Sequence, residues 1–184
     1  MIYLYHYFDR RTGPFRNLSD LPQARAKDIL DAIRAKQEGF ASQRDGAYLA
    51  RRTELEQLAR EMFIKKGGKP IRTVPHYMVA EACPWLLTWY READCMKIPI
   101  TDFDTDTVSF TYGDMFPTFS PRVNDGREYR YKVYRYEEIV ELIERYGLPQ
   151  RWNEDGRYGP ERYIEAQVWS DEPIERYIET HGQR

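Results

Sequence analysis

Large aliphatic side chains are scarce in this chain, and their scarcity limits the kind of core that it can build. Leucine, isoleucine, valine and phenylalanine account for only 38 of the 184 residues, whereas there are 15 tyrosines and four tryptophans. Such a composition approaches that of disordered chains, but a net charge of −2 does not oppose folding. We therefore expect a folded chain whose core contains many aromatic rings, with partners for their hydroxyl and NH groups.

The length of the chain favours a single domain over residues 1–184. No stretch approaches about 18 consecutive apolar residues, and residues 1–6 lack the basic start and apolar run of a signal peptide. We therefore expect a cytoplasmic protein without a membrane partner. Cys83 and Cys95 are isolated and show no zinc-ligand spacing, so the sequence predicts neither a disulfide nor a metal site.

The hydrophobic pattern predicts one strand, then two amphipathic helices, then mainly strands. The first eight residues form the opening strand, one helix lies between Asp20 and Gly39, and a second begins at Asp45 and ends before 65–68. Later strands are predicted at 74–80, 95–100, 107–112, 129–134 and 162–169, with helices at 136–146 and after Asp171. This order lacks regular βαβ alternation, so the expected fold class is α+β.

Common nucleotide-binding and hydrolase motifs are absent from the sequence. It contains no phosphate-binding Gly-x-x-x-x-Gly-Lys-Ser/Thr loop, no Gly-x-Gly-x-x-Gly, no His-Glu-x-x-His and no Gly-x-Ser-x-Gly. Candidate functional residues are therefore polar side chains within strands or beside aromatic rings.

Glu165 is one such residue, within the predicted strand over 162–169. Alternation places Ile164, Ala166 and Val168 on one face, and Glu165 on the other face between Tyr163 and Trp169. A carboxylate framed by rings suits a cleft that stacks a flat ligand and hydrogen-bonds a sugar. The alternative is a solvent-exposed strand face with amphipathic aromatic residues.

His6 is a second candidate, in phase with Leu4 and Phe8 on the opening strand. One interpretation is a neutral imidazole on a cleft wall, which donates from one ring nitrogen and accepts at the other. The other is a core histidine bound to a backbone group. The pattern alone leaves both open.

Basic and tyrosine residues alternate over 121–136. This segment has five basic and two acidic residues and four tyrosines, a pattern typical of a platform that stacks bases and neutralises phosphates. Arg130, Lys132 and Tyr134 are the candidate acceptor-binding residues. The alternative is a solvated hairpin with cross-strand Arg and Tyr pairs, which the near-neutral whole chain favours.

Four short segments, in order over most of the chain, carry a resemblance to a known family. They are Tyr-Leu-Tyr-His at 3–6 with Asn17 following, Val-Pro-His-Tyr-Met at 74–78 followed by Pro-Trp-Leu, Val-Ser-Phe-Thr-Tyr-Gly-Asp at 108–114, and Ile-Glu-Ala-Gln-Val at 164–168. Together they resemble the bacterial DNA ADP-ribosyltransferase toxin family called DarT. Phe8 departs from the family's threonine, Tyr112 and Gly113 split its Thr-Asp pair, and its later histidine has no clear counterpart.

The resemblance implies an ADP-ribosyltransferase-like split β-sheet with flanking helices, and an enzyme that uses NAD as a substrate and releases nicotinamide. It implies a toxin that modifies a nucleic acid, with single-stranded DNA or RNA and a neutralising antitoxin as partners. Its catalytic residues would be Glu165 and Arg51, and NAD would contact His6, Asn17, Arg44 and Tyr77. The arginine that serves the site could be Arg44, Arg51 or Arg52.

The chemistry of NAD cleavage fits these residue types. Breaking the bond between nicotinamide and ribose builds oxocarbenium character, which a nearby carboxylate stabilises. An arginine would balance the phosphate charge and a tyrosine would stack on nicotinamide. Two alternatives remain: a non-catalytic module that binds a nucleotide or nucleic acid, and an α+β domain in which Glu165 and His6 are only structural.

Overall fold

Five strands form one antiparallel sheet in the computed structural model, which describes residues 1–37 and 39–181. The strands are β1 (Tyr3–Asp9), β2 (His76–Ala80), β3 (Ala93–Pro99), β4 (Val108–Thr111) and β5 (Ile164–Val168). Their order across the sheet is β3-β1-β2-β5-β4. The fold class is therefore α+β, as the order of the predicted elements indicated.

Helices pack around this sheet. They are α1 (Gln23–Lys36), α2 (Tyr48–Lys65), α3 (Met115–Thr118), α4 (Tyr136–Tyr146), α5 (Pro149–Trp152) and α6 (Ile174–His181). The predicted bounds of α4 are confirmed. Helix α2 begins three residues later than predicted, because the Asp45 side chain accepts from the backbone of Ala47 before the helix starts. No helix among the described residues is both long enough and apolar enough to span a bilayer.

One face of the sheet carries the largest core cluster. Ile164, Ala166 and Val168 of β5 are fully buried there, which confirms the alternation predicted for that strand. Aromatic residues complete this core as expected, and the hydroxyls of Tyr112 and Tyr129 are hydrogen-bonded. Tyr112 donates its hydroxyl to the carbonyl of Gly147 at 2.7 Å, and the Tyr129 hydroxyl accepts from Arg127 at 2.7 Å. Outside this core, the buried Trp89 Nε1 has no hydrogen-bond partner among the described residues.

The strand predicted at 129–134 is wrong. This segment consists of turns, and Tyr134 alone pairs with a strand, through one bridge to Phe110. Tyr131 has a φ of +57°, in the left-handed region, which breaks an extended run. The guanidinium of Arg130 turns inward and pairs with the fully buried carboxylate of Glu161. A long-range ion pair has therefore replaced the expected hairpin.

Strands β1 and β2 pair over only two residues, Leu4 with Ala80 and Tyr5 with Val79. In contrast, β1 pairs with β3 over all seven of its residues. Beyond Tyr5 the strands β1 and β2 therefore separate, which opens a gap at one end of the sheet.

Candidate functional site

A cleft of about 620 Å³ opens at this gap, between β1, β2, β5, α1 and the start of α2. Five residues that the sequence singled out line it: His6, Asn17, Arg44, Tyr77 and Glu165. They come from segments spread over most of the chain. The fold therefore brings together all four predicted NAD-binding residues and the predicted catalytic glutamate.

Glu165 lies on the cleft wall and is only 7% exposed. In the strand register Glu165 lies opposite Val79 of β2. Val79 in turn lies opposite Tyr5 of β1, in the last pair before β1 and β2 separate. Burial, and then the neighbouring charge of Asp114, raise the pKa of the Glu165 carboxyl well above its usual range. The interpretation of this strand face as solvent-exposed is therefore wrong, because all five residues of β5 are buried.

Arg52 is the arginine of α2 that lines the cleft. Its Nε donates to Glu56 at 3.0 Å, and its terminal nitrogens donate to the Tyr48 hydroxyl and to Asn17 Oδ1, both at 2.7 Å. Its guanidinium also lies over the Tyr77 ring, 4.4 Å from the ring centre. These contacts fix Arg52 beside the ring that the sequence assigned to stacking.

Glu56 is a residue of this network that the sequence analysis missed. It is 1% exposed, and its Oε1 accepts from the hydroxyl of Tyr77 at 2.6 Å and from that of Ser19 at 2.6 Å. Burial raises the pKa of the Tyr77 phenol, so Tyr77 remains a hydrogen-bond donor to Glu56. The signal was present, because Glu56 precedes Ala59 and Phe63 at i+3 and i+7 on the buried stripe of α2.

Arg51 does not line the cleft. Its guanidinium donates to the backbone carbonyl of Phe119 at 3.2 Å and pairs with Glu54 at 3.2 Å. Consecutive side chains on a helix point about 100° apart, so the placement of Arg52 on the cleft wall directs Arg51 elsewhere. Of the three arginines that could serve the site, Arg44 and Arg52 therefore line the cleft, whereas Arg51, which was predicted to be catalytic, does not.

His6 has both ring nitrogens bonded to backbone groups. Its Nε2 accepts from the N–H of Phe15 at 2.8 Å, so its Nδ1 carries the proton and donates to the carbonyl of Tyr77 at 2.9 Å. The Phe15 ring stacks on the imidazole at 3.8 Å. Burial lowers the pKa of His6 to about 4, so the ring is neutral near pH 7. His6 is thus a backbone-bound histidine that also lines the cleft.

Its position explains how both interpretations of His6 apply at once. His6 is in phase with Leu4 and Phe8, which belong to the core cluster on the sheet face opposite to Glu165. Its imidazole nevertheless bridges β1 and β2 where their backbones no longer pair. The gap between the strands therefore gives one cleft access to residues from both faces of the sheet.

The charges on the cleft wall are mainly positive, although the whole chain is slightly negative. Arg44 contributes one of them, with its guanidinium carbon 4.4 Å from the centre of the Tyr48 ring. The cationic lining residues are Arg11, Arg16, Lys36, Arg44, Arg52 and Arg91, and the anionic ones are Asp9, Asp114 and Glu165. Such a surplus of cations favours an anionic ligand.

The predicted acceptor platform is not formed. Arg130 and Tyr134 are each only 6% exposed, and Tyr134 belongs to the main core cluster. Lys132 alone of the three is exposed. Tyr131 beside it is 47% exposed, but a platform that stacks successive bases needs several rings on the surface.

Comparisons with known proteins give no match for this chain. No protein-family model, no curated protein and no solved structure matches it. The resemblance to DarT therefore rests on the four short segments alone, and the assignment of an ADP-ribosyltransferase-like fold stays a prediction. Among residues 1–37 and 39–181, no group of three or more His, Cys, Asp or Glu side chains could hold a metal ion.

Proposed function

We propose that this protein is an NAD-dependent ADP-ribosyltransferase, which cleaves the bond between nicotinamide and ribose and transfers ADP-ribose to a nucleic-acid acceptor. The observation that carries this proposal is the convergence of His6, Asn17, Arg44, Tyr77 and Glu165 on one cleft. The resemblance to DarT assigns these same residues to NAD binding or to catalysis.

The size and lining of the cleft support a dinucleotide as its ligand. Its volume of about 620 Å³ lies within the range of cofactor sites. Its aromatic residues offer stacking surfaces, and its cations complement a pyrophosphate. The guanidinium of Arg44 lies on the cleft wall against the Tyr48 ring, where it can bind a phosphate.

Glu165 would act on the ribose beside the scissile bond. The electron pair of the C–N bond leaves with nicotinamide, and the ionised carboxylate stabilises the positive charge that develops on the ribose. The acceptor then forms a bond to the same carbon and loses a proton, which Glu165 takes. A cationic nicotinamide in the cleft favours the ionised carboxylate, which opposes the effect of burial on its pKa.

The identity of the acceptor rests on the resemblance alone. Single-stranded DNA or RNA is proposed because the DarT family modifies DNA, and no surface platform on 121–136 supports that choice. The toxin role, a neutralising antitoxin and a cytoplasmic location belong to the same proposal. They require the transfer reaction to be real, so the reaction is tested first.

The test is an assay of nicotinamide release and label transfer. The protein is incubated with NAD labelled on its adenylate, together with single-stranded DNA, RNA or a protein lysate. We expect nicotinamide release and label on nucleic acid, and a loss of at least about 100-fold in Glu165→Gln, which keeps the shape and removes the charge. Glu54→Gln, on the exposed surface of α2, is the matched control and keeps full activity.

The assay also separates the alternatives. Absence of nicotinamide release with every acceptor would overturn the enzyme proposal, and label on protein alone would overturn the nucleic-acid acceptor. Both ring nitrogens of His6 bind backbone groups, and Arg52 binds Glu56, which favours a second candidate, a module that binds a nucleotide without cleaving it. That candidate is supported if NAD binds equally to the wild type and to Glu165→Gln and neither releases nicotinamide.

A further inference from the structure

A chain of buried polar side chains leads through β4 and β5 to the cleft glutamate. The indole N–H of Trp169 donates to Ser109 Oγ at 2.9 Å, and Ser109 donates to Gln167 Oε1 at 2.9 Å. Gln167 Nε2 then donates to Glu165 Oε1 at 3.0 Å. Trp169, Ser109 and Gln167 are all fully buried, and Ser109 lies opposite Gln167 in the strand register.

The direction of these hydrogen bonds is set at two points: Trp169 can only donate to Ser109, and Thr111, which donates its own proton to the carbonyl of Gly113, can only accept from Gln167. An indole N–H can only donate, so the Ser109 oxygen accepts there, and the single hydroxyl proton of Ser109 is left for Gln167 Oε1. The amide of Gln167 is therefore oriented with its NH₂ group towards Glu165. Its remaining contact is to Thr111 Oγ1 at 3.1 Å, and Thr111 donates its own proton to the carbonyl of Gly113.

This direction distinguishes the two oxygens of Glu165. Oε1 faces an N–H group of Gln167, which cannot accept a hydrogen bond. A proton on Oε1 would therefore lie against another hydrogen atom and would form no hydrogen bond there. A proton of the carboxyl group is therefore expected on Oε2 rather than on Oε1, and the backbone N–H of Met115 is a second, weaker donor to the carboxylate. A polar chain that is fully satisfied also holds its last member rigidly, whereas an apolar neighbour would leave the carboxylate free to rotate.

We infer that Gln167 is the positioning residue for Glu165: with Ser109 and Trp169 behind it, it holds Oε1 as an acceptor and leaves Oε2 to take the proton of the acceptor group. This inference rests on the proposed function for its catalytic consequence. The orientation of the carboxylate, however, can be tested without any activity.

Several charged or titratable groups face Glu165 and must stay unchanged in the test. They are Asp114 at the start of α3, Arg52 on α2, Tyr77 on β2 and Tyr163 just before β5. A variant of Gln167 or Ser109 removes none of these charges. A change in the titration of Glu165 in such a variant therefore reports the polar chain.

The first experiment measures the pH dependence of unfolding in pairs of proteins. Each pair consists of one protein with Glu165 and the same protein with Glu165→Gln, either in the wild type or together with a change at Gln167 or Ser109. The difference between their free energies of unfolding is plotted against pH, and its upper inflection gives the pKa of Glu165 in the folded protein. We expect Gln167→Met to move this inflection at least about one pH unit higher, because a donor to the ionised carboxylate is lost. Ser109→Ala moves it less, and Ser109→Thr, which keeps the hydroxyl, leaves it in place.

The second experiment uses NAD cleavage. Gln167→Met is expected to lower kcat at least about tenfold and to leave KM within twofold. The acidic limb of the pH profile of kcat/KM should move by as much as the pKa of Glu165 in the folded protein. The control is Thr107→Val, which removes a buried hydroxyl that does not belong to the hydrogen-bonded series of Trp169, Ser109 and Gln167. An unmoved inflection in both Gln167→Met and Ser109→Ala would overturn the inference.

The two readouts separate this inference from the proposed function. If the wild type releases no nicotinamide, the proposed function fails, and the unfolding experiment still decides whether Gln167 positions Glu165. If Gln167→Met does not fold, the comparison of Ser109→Ala with Ser109→Thr decides it, since equal inflections in these two variants would overturn the inference. If NAD is cleaved equally in all variants, Gln167 has no positioning role.

Discussion

The guanidinium of Arg52 lies 4.4 Å from the centre of the Tyr77 ring, and both side chains bind Glu56 Oε1. This arrangement places a cation, a ring and a carboxylate in one buried unit behind the cleft. The pair of Arg52 and Glu56 is deeply buried, so each charge depends on the other for compensation. The stability of the protein should therefore depend strongly on which of two neighbouring arginines is removed.

Arg52→Met is expected to destabilise the fold by about 3–5 kcal/mol, because it leaves the Glu56 carboxylate buried without its partner. Arg51→Met, one residue earlier, removes a half-exposed pair with Glu54 and should cost no more than about 1 kcal/mol. Chemical denaturation of both variants measures the difference. Similar costs for the two would contradict the assignment of Arg52 to the buried network.

Glu165→Gln is expected to stabilise the protein at neutral and basic pH. The pKa of Glu165 is raised in the fold, so its contribution to stability is full below the unfolded pKa and is lost as the pH rises through the folded pKa. The variant should gain about 1–2 kcal/mol at pH 8, the cost of a poorly solvated charge, and nothing near pH 4. Thermal or urea unfolding at both pH values measures it, and an equal effect at both would contradict a raised pKa.

Regular periodicity made part of the fold predictable. The helical spacing of Ile139, Val140 and Ile143 defined α4, and the two-residue alternation of β5 placed Ile164 and Glu165 on opposite faces. The same reasoning failed at 129–134, where alternating tyrosines and cations resemble a strand. There the ion pair of Arg130 with Glu161 decides the conformation, and no local pattern reveals a partner 31 residues away.

The candidate site shows the same limit. His6 and Glu165 could be singled out because a polar residue within a predicted strand is unusual, whereas Tyr77 was assigned by the resemblance to DarT alone. Glu56 was harder to find, since a glutamate on an amphipathic helix normally faces water. Only its spacing from Ala59 and Phe63 indicated burial, and its hydrogen bonds to Arg52 and Tyr77 make that burial possible. The gap between β1 and β2, which brings His6 into the cleft, depends on pairing that the sequence of either strand does not specify.

His6 should make the fold sensitive to mild acid. Burial lowers its pKa from 6.5 to about 4. The contribution of the neutral ring to the free energy of unfolding is therefore complete above pH 6.5, and it is lost as the pH falls towards 4 because the unfolded chain binds a proton more readily. The wild type should therefore lose about 3 kcal/mol more than His6→Gln over this range. The pH dependence of urea unfolding measures this loss, and His76, which also titrates, is present in both proteins and cancels. Parallel curves would show that His6 is not buried as a neutral ring.

Arg44 provides the sharpest test of an anionic ligand, because its guanidinium lies on the cleft wall against the Tyr48 ring. Arg44→Ala is expected to weaken NAD binding about tenfold, or about 1.4 kcal/mol, as a charge-assisted contact to phosphate is lost. ADP-ribose should weaken equally, whereas nicotinamide riboside, which has no phosphate, should bind both proteins alike. Calorimetric titration measures all three ligands, with Arg51→Ala as the control outside the cleft. An equal loss for nicotinamide riboside would mean that Arg44 supports the shape of the cleft and does not bind the pyrophosphate.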